Sequence, residues 1–247
     1  MIGYAARQLD CARFRETSQS GIRTESGGRN RQQTSTREGV WQFRATPSDD
    51  TVSIEAWLDS LAVTRRSDEA SISPDTDGLL GGRYRGVLTA QGAYTSRVRP
   101  FVPDEVAEVA GMGSALDDFF PPLPARALKV GETWSEVPGL TLRRLPDSTS
   151  RAGRLYRFEL QRTSEARTAE TAGDSLPLRL QQKSNEQGEF VWHPQRGLLR
   201  RERRIVIETT IPPSRTVRQA VRSKVEQRIT LARGLNPPGC RPTAGGR

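Results

Sequence analysis

Phe119-Phe120-Pro121-Pro122-Leu123-Pro124-Ala125-Arg126-Ala127-Leu128-Lys129-Val130-Gly131-Glu132-Thr133-Trp134 packs three of the chain's sixteen prolines, two adjacent phenylalanines and one of its four tryptophans into sixteen residues. Proline fixes φ and removes a backbone donor, so Pro121 to Pro124 must run extended. Val130-Gly131 suits a tight turn, and Trp134 is large enough to demand burial. The segment stands between two runs of strand-like sequence. It therefore reads as a stiff connector joining two antiparallel meanders of one β-rich domain. The expected organisation is a meander over 7–100, a helical and proline-rich hinge over 101–138, a second meander over 139–235 and a loose tail over 236–247. The fold class this predicts is mainly β: one curved antiparallel sheet, a half-barrel of two meanders, with one or two short helices between the halves.

Outward from the hinge, period-two alternation dominates. Before it, Ser26-Gly27-Gly28-Arg29-Asn30 marks a hairpin, and Trp41, Phe43 and Ala45 alternate onto one sheet face. Val52, Ile54, Ala56 and Leu58 alternate with polar residues and Trp57, while Arg66 to Gly82 reads as a loop. Tyr84 to Val98 is a hairpin turning at Gln91-Gly92. Val106, Val109 and Ala110 fall at helical spacing after Pro103-Asp104-Glu105, and Ser114 is placed to cap a second short helix over Ala115 to Phe120. After the hinge, Tyr156, Phe158 and Leu160 alternate. Ser164 to Asp174 has no apolar residue larger than alanine and reads as a loop. Leu176, Leu178 and Leu180 begin the next strand. Phe190 to Leu199 is strand, Pro/Gly turn and strand, echoing Gln91-Gly92, and Pro212-Pro213 ends the strand of Ile205, Ile207, Thr209 and Ile211. Val217, Val221, Val225 and Ile229 lie four apart, which fits a helix as well as a strand; their β-branching favours the strand.

The chain of 247 residues carries a formal charge of +9 with 34% apolar residues, which suits a thin core but not disorder. Only Lys129, Lys183 and Lys224 are lysines. So lopsided a ratio reads as the coding bias of a GC-rich genome, and nucleic acid is not the expected partner despite the charge. Cys11 and Cys240 sit near opposite ends. They are either two unrelated free thiols or one disulfide, which requires an oxidising compartment. No run approaches the ~20 apolar residues of a membrane-spanning helix. As written, Met1 to Arg7 lacks a basic-then-apolar leader and reads as cytoplasmic. Strand-like text beginning at Ala12 and Phe14 instead suits a start placed too late, with a leader lost upstream and a place in the cell envelope.

Catalytic patterns are missing. The lone histidine, His193, precedes Pro194 in an apparent turn, and no Gly-x-Ser-x-Gly elbow accompanies it. Asp117 and Asp118, adjacent in the second predicted helix, read as dipole partners more readily than as a catalytic pair. No phosphate loop, zinc spacing or calcium loop occurs, so neither metal nor cofactor is expected. Arg200, Arg201, Arg203 and Arg204 fall on both faces of a strand. Arg218, Arg222, Lys224 and Arg228 fall on one face, as a solvated outer surface that discourages edge pairing or as a contact for nucleic acid or an anionic membrane. The expected function is non-enzymatic: a concave sheet binding an apolar or amphipathic ligand, or a partner protein, with a groove lined by Trp41, Phe43, Trp57, Phe119, Phe120 and Trp134.

The segment over 119–134 resembles a pattern in uncharacterised exported bacterial proteins, often lipoproteins, through Leu123-Pro124 and Val130-Gly131-Glu132-Thr133-Trp134. The Gln91-Gly92 hairpin ahead of it is similar too. The broader likeness is to the curved half-barrels that carry lipoproteins or lipids across the periplasm, the LolA and LppX class. It implies an open sheet with helices across its mouth and room for an acyl chain, and it implies no catalytic residue. The family's leader and lipobox cysteine have no counterpart in the sequence as written, so an anchor is not implied.

Overall fold

The computed structural model describes residues 2–102, 116–151, 153–170, 178–213 and 218–240. Its strands are β1 (Arg13–Ser26), β2 (Arg29–Ser48), β3 (Thr51–Ser67), β4 (Ser71–Ile72), β5 (Tyr84–Thr89), β6 (Tyr94–Val98), β7 (Thr133–Trp134), β8 (Leu140–Ser150), β9 (Gly153–Glu170), β10 (Leu178–His193), β11 (Gly197–Ile211) and β12 (Val221–Arg233). They form one curved sheet of twelve strands in the order β6-β5-β3-β2-β1-β12-β11-β10-β9-β8-β7, with β4 hanging on β3. Every ladder between them is antiparallel. The sheet does not close, since β6 and β7 are its two edges.

The first and last strands meet in the middle. β1 pairs with β12 from Phe14↔Arg233 to Ser26↔Val221, so the alternation at Val221, Val225 and Ile229 belongs to a strand. Cys11 and Cys240 lie just beyond this pair and are joined by a disulfide, with Cα atoms 5.7 Å apart. Of the two readings of the cysteines, the cross-link is the one the structure holds.

This strand order gives the proline segment a task other than a hinge. β6 and β7 stand ten inter-strand steps apart along the curved sheet. The chain between them has to cross the sheet, and it does so over the inner face as a strap. Leu123 N donates to Gln91 O at 2.8 Å, and Tyr4 Oη donates to Pro121 O at 3.0 Å. Gly92 permits this approach: it has φ +91°, and a Cβ there would meet Pro121 O at 2.6 Å.

Two expectations need correction. Leu116 to Phe120 form turns rather than a helix, because the Asp118 and Phe119 carbonyls accept from arginines of the sheet and not from amides of a following turn. The first expected helix, from Pro103, falls outside the described residues. Ser164 to Glu170, read as loop, continues β9 and pairs with β10 as far as Leu178↔Glu170. That end of the strand is held by its backbone ladder to β10.

Core packing occupies one end of the inner face. Phe14, Trp41, Phe43, Phe158, Phe190 and Trp192 are fully buried. Trp41 and Trp192 each follow a register shift, at Val40/Trp41 on β2 and Val191/Trp192 on β10. Bulges increase local twist, and these two lie in corresponding places of the two meanders. Toward the other end of the same strands, Ile22, Ile205, Ile207, Val225 and Ile229 still face inward but are only half-buried.

Candidate functional site

Five of the six aromatic residues expected to line a groove build this core. Phe119 of the strap packs edge-on against Phe14 at 5.4 Å and tilted against Phe43 at 5.1 Å, with Trp41 at 6.3 Å. Phe120 meets Tyr4 at 5.4 Å and Tyr94 at 6.1 Å. Trp134, on β7, is also buried. The strap's own rings thus fill the groove these residues were expected to border. Trp57 is a correction of a different kind. It points to the outer face, where the Arg83 guanidinium lies 3.9 Å over its ring. Its place follows from alternation, since Ala56 and Leu58 take the inner positions on either side.

Sequence reasoning missed a cluster of buried charge that holds the strap down. Arg201 and Arg203, from the arginine run expected on both faces of a strand, point inward from β11 and are 4% and 8% exposed. Glu186 of β10 accepts from Arg203 Nε at 2.7 Å and from Arg201 Nη2 at 3.2 Å. The same two arginines donate to strap carbonyls, Arg201 to Phe119 O at 3.1 Å and Arg203 to Asp118 O at 3.2 Å. The Asp118 carboxylate meets Arg162 at 3.2 Å, and Asp117 meets Arg99 at 2.9 Å, so the two carboxylates diverge and neither serves a helix dipole. Burial alone would raise the Glu186 carboxyl, but Arg203, Arg201 and Arg162 outweigh it and hold it below the usual range. Burial, with Arg203 beside it, lowers Arg201 to about 10 against the opposing pull of Glu186. Counting by two from Ile205 and Ile207 puts Arg201 and Arg203 on the inner face and Arg200 and Arg204 on the outer, so the alternation carried the direction but not the partners.

Beside the strap lies an open space. A cavity of about 550 Å³ is walled by Ile2, Leu128, Tyr156, Phe158 and Trp192, with Arg7, Lys129, Arg144 and Arg154 also lining it. One wall is the N-terminal segment with its short helix α1 (Ala6–Leu9). It is fixed by Tyr4 N to Ala90 O at 3.0 Å, Gln8 Nε2 to Pro194 O at 3.2 Å and Arg233 Nη1 to Gln8 O at 2.6 Å. The opposite wall is the strap at Ala127 to Val130, and β8 to β10 form the floor. The Arg144 guanidinium lies 4.2 Å over the Tyr156 ring and 5.3 Å over Phe158. Asp147 bridges Arg144 and Arg154. Burial would raise the Asp147 carboxyl, and its hydrogen bonds to these two arginines more than reverse that.

His193 is buried in the turn between β10 and β11, where its Nδ1 accepts from the amides of Gln195 at 3.1 Å and Arg196 at 3.2 Å. That is a turn-stabilising role. No cluster of metal-ligating side chains occurs among the described residues. On the outer face, Arg222, Lys224 and Arg228 stand exposed on β12, and Arg218 precedes that strand. Carboxylates interleave with them: Glu226 takes Lys224 at 2.7 Å and Arg204 at 3.9 Å, while Glu25 and Glu208 stand across from Arg222 and Lys224. No helix among the described residues is long and apolar enough to cross a membrane.

No family profile and no curated protein sequence matches this chain, so the likeness of 119–134 to exported proteins finds no counterpart there. Among solved structures it is similar to Neisserial surface protein A at 9% identity, covering 89% of this chain and 96% of that one, with a TM-score of 0.27. Salmonella typhi OmpF in complex with daunomycin aligns at 7% identity over 90% and 97% of the two chains, with a TM-score of 0.26. A DUF1329 family protein from Desulfovibrio piger aligns at 9% identity over 86% and 83%, with a TM-score of 0.18. TM-scores of this size do not establish a common fold.

Proposed function

We propose that this chain is a non-enzymatic protein of the bacterial cell envelope that binds an apolar or amphipathic small molecule on the concave side of its sheet. The observation that carries the reading is the cavity of about 550 Å³ beside the strap, bordered by Ile2, Leu128, Val130 and Tyr156. Its size falls within the ~300–1,000 Å³ of small-molecule sites, and the N-terminal segment, the strap and β9 each bring an apolar side chain to its walls. The Cys11–Cys240 disulfide supports the compartment, because such cross-links persist where the surroundings are oxidising. The likeness of Leu123-Pro124 and Val130-Gly131-Glu132-Thr133-Trp134 to exported proteins points the same way. The site differs from the groove expected from sequence, whose aromatic residues the strap has claimed.

Titration with the uncharged fluorophore N-phenyl-1-naphthylamine tests the reading. Saturable fluorescence enhancement is expected, and Val130→Trp, which adds bulk at an exposed cavity-lining position, should abolish it without shifting the unfolding midpoint. Absence of enhancement in the wild-type chain overturns the ligand reading. Mass mapping of the cysteines from intact cells tests the compartment, which a reduced Cys11–Cys240 pair would overturn.

A further inference from the structure

We propose that the open edge of β9 from Glu165 to Glu170 pairs antiparallel with the same edge of a second copy of this chain, in the register that sets Glu165 across from Arg167. β8 begins at Leu140, opposite Arg162, and Thr163 N donates to Gly139 O at 2.8 Å just before it. Beyond Thr163, no strand among the described residues pairs with β9 on the side away from β10. On the other side the ladder to β10 continues to Leu178↔Glu170 without a register shift. Successive residues of an antiparallel strand turn their backbone polar groups to alternate sides. Glu165 and Arg167 therefore share the direction of Thr163 and present N–H and C=O to the open side.

The other margins of the sheet carry the devices that keep strands from adding. β6 is 5 residues long, and its ladder to β5 shifts at Arg85/Gly86. β7 has 2 residues, and β8 carries Pro146 and a shift between Leu145 and Ser148. The far end of β3 is covered by β4 at Arg65 and Arg66. Arg162 to Glu170 contains no proline, and nothing interrupts its ladder. The order of charges selects the occupant. About Ala166, Glu165 and Arg167 mirror one another with opposite sign, and Ser164 mirrors Thr168. A two-fold axis at Ala166 places Glu165 of each copy across from Arg167 of the other, where the two residues exchange both of their backbone hydrogen bonds. Opposite charges directly across a strand pair are favourable and like charges unfavourable. A centre at Glu165 or at Arg167 would set like charges face to face. Within its own chain Glu165 meets only Lys183, at 3.4 Å and with both side chains largely exposed, a contact of little strength.

Sedimentation velocity on the full chain across a dilution series tests this, and the wild-type chain should show a monomer–dimer equilibrium. Glu165→Arg and Arg167→Glu each set like charges opposite one another at both symmetric positions, so each should weaken the dimer about tenfold or more. The double variant Glu165→Arg/Arg167→Glu restores opposite signs and should dimerise within about twofold of the wild type. Glu165→Pro removes an N–H that faces the open side, where proline is tolerated, and should abolish the dimer with little change in the urea midpoint. If proline lowers that midpoint, the charge variants, which leave the backbone intact, decide the matter. A wild-type chain that stays monomeric at its highest soluble concentration overturns the proposal. A dimer that all the charge variants form equally well overturns it too, because another surface then makes the contact. A double variant as weak as the single ones overturns the register and with it the charge argument.

Discussion

The two ends of the same long strands have been treated differently. On β11, the inward positions begin with Arg201 and Arg203, both buried, and continue through Ile205, Ile207, Thr209 and Ile211, all half-open. β1 runs the same way, from Phe14, Glu16 and Ser18, buried, to Ser20, Ile22 and Thr24, half-open. Charged residues are thus inside and isoleucines partly outside. Burial here follows the path of the strap, which crosses one end of the inner face, and not the hydrophobicity of the residue at each position. The charges tolerate burial because each finds partners. Glu16 accepts from Trp41 Nε1 at 2.8 Å and pairs with Arg37, and Glu186 holds Arg201 and Arg203. A buried pair of this kind contributes little net stability, but removing one partner strands the other.

The sharpest break in this comparison is Glu186→Gln, which leaves two buried guanidinium groups without their counter-charge and should cost about 3–5 kcal/mol in urea unfolding. A cost under 1 kcal/mol would mean that Arg201 and Arg203 reach water. Phe119→Ala, at the strap end, should cost a similar ~3–5 kcal/mol. Replacing Cys11 and Cys240 by serine should remove about 2–5 kcal/mol, read from the same curves, since the cross-link closes nearly the whole chain.

Acid should act on the strap end first. Glu186 and Asp118 both have carboxyls held below their ordinary values, each against the effect of burial, by neighbouring arginines. Between the ordinary and the lowered values the unfolded chain binds more protons. The stability these groups contribute is therefore complete above the ordinary carboxylate pKa of about 4 and is lost as pH falls through the lowered values. Urea midpoints should be flat from neutrality to about pH 5 and fall below it, and the fall should be shallower in Glu186→Gln. At the far end, Ile207→Ala should cost no more than about 1 kcal/mol, because the side chain is already half in water. Smallest of all, Arg222→Gln and Arg228→Gln on the outer face should stay within about 0.5 kcal/mol of the wild-type chain.

Much of the fold was legible because a sheet with a dry face and a wet face has to alternate. Trp41 and Phe43, Val52 to Leu58, and Phe158 and Leu160 announce their strands and their shared face. Gly27-Gly28, Gln91-Gly92 and Pro194 to Gly197 announce the turns, with φ of +57°, +73°, +91° and +73° at Gly27, Gly28, Gly92 and Gly197. Trp57 was misplaced by its chemistry, although the alternation itself puts it outside. The cavity was not legible at all. Ile2, Leu128, Arg144, Tyr156 and Trp192 come from five separate parts of the chain, and no spacing links them.

The sequence alone determined the strands, their turns and the stiffness of the proline segment, because those depend on neighbours along the chain: alternation, φ restriction and glycine at positive φ. Strand order, the pairing of β1 with β12, the strap's route and the burial of Arg201, Arg203 and Glu186 were decided only in three dimensions. The physical reason is that joining the terminal strands at the centre pushes β6 and β7 to opposite edges. The connector must then cross the inner face, and where it crosses fixes which inward residues are covered and where a cavity is left.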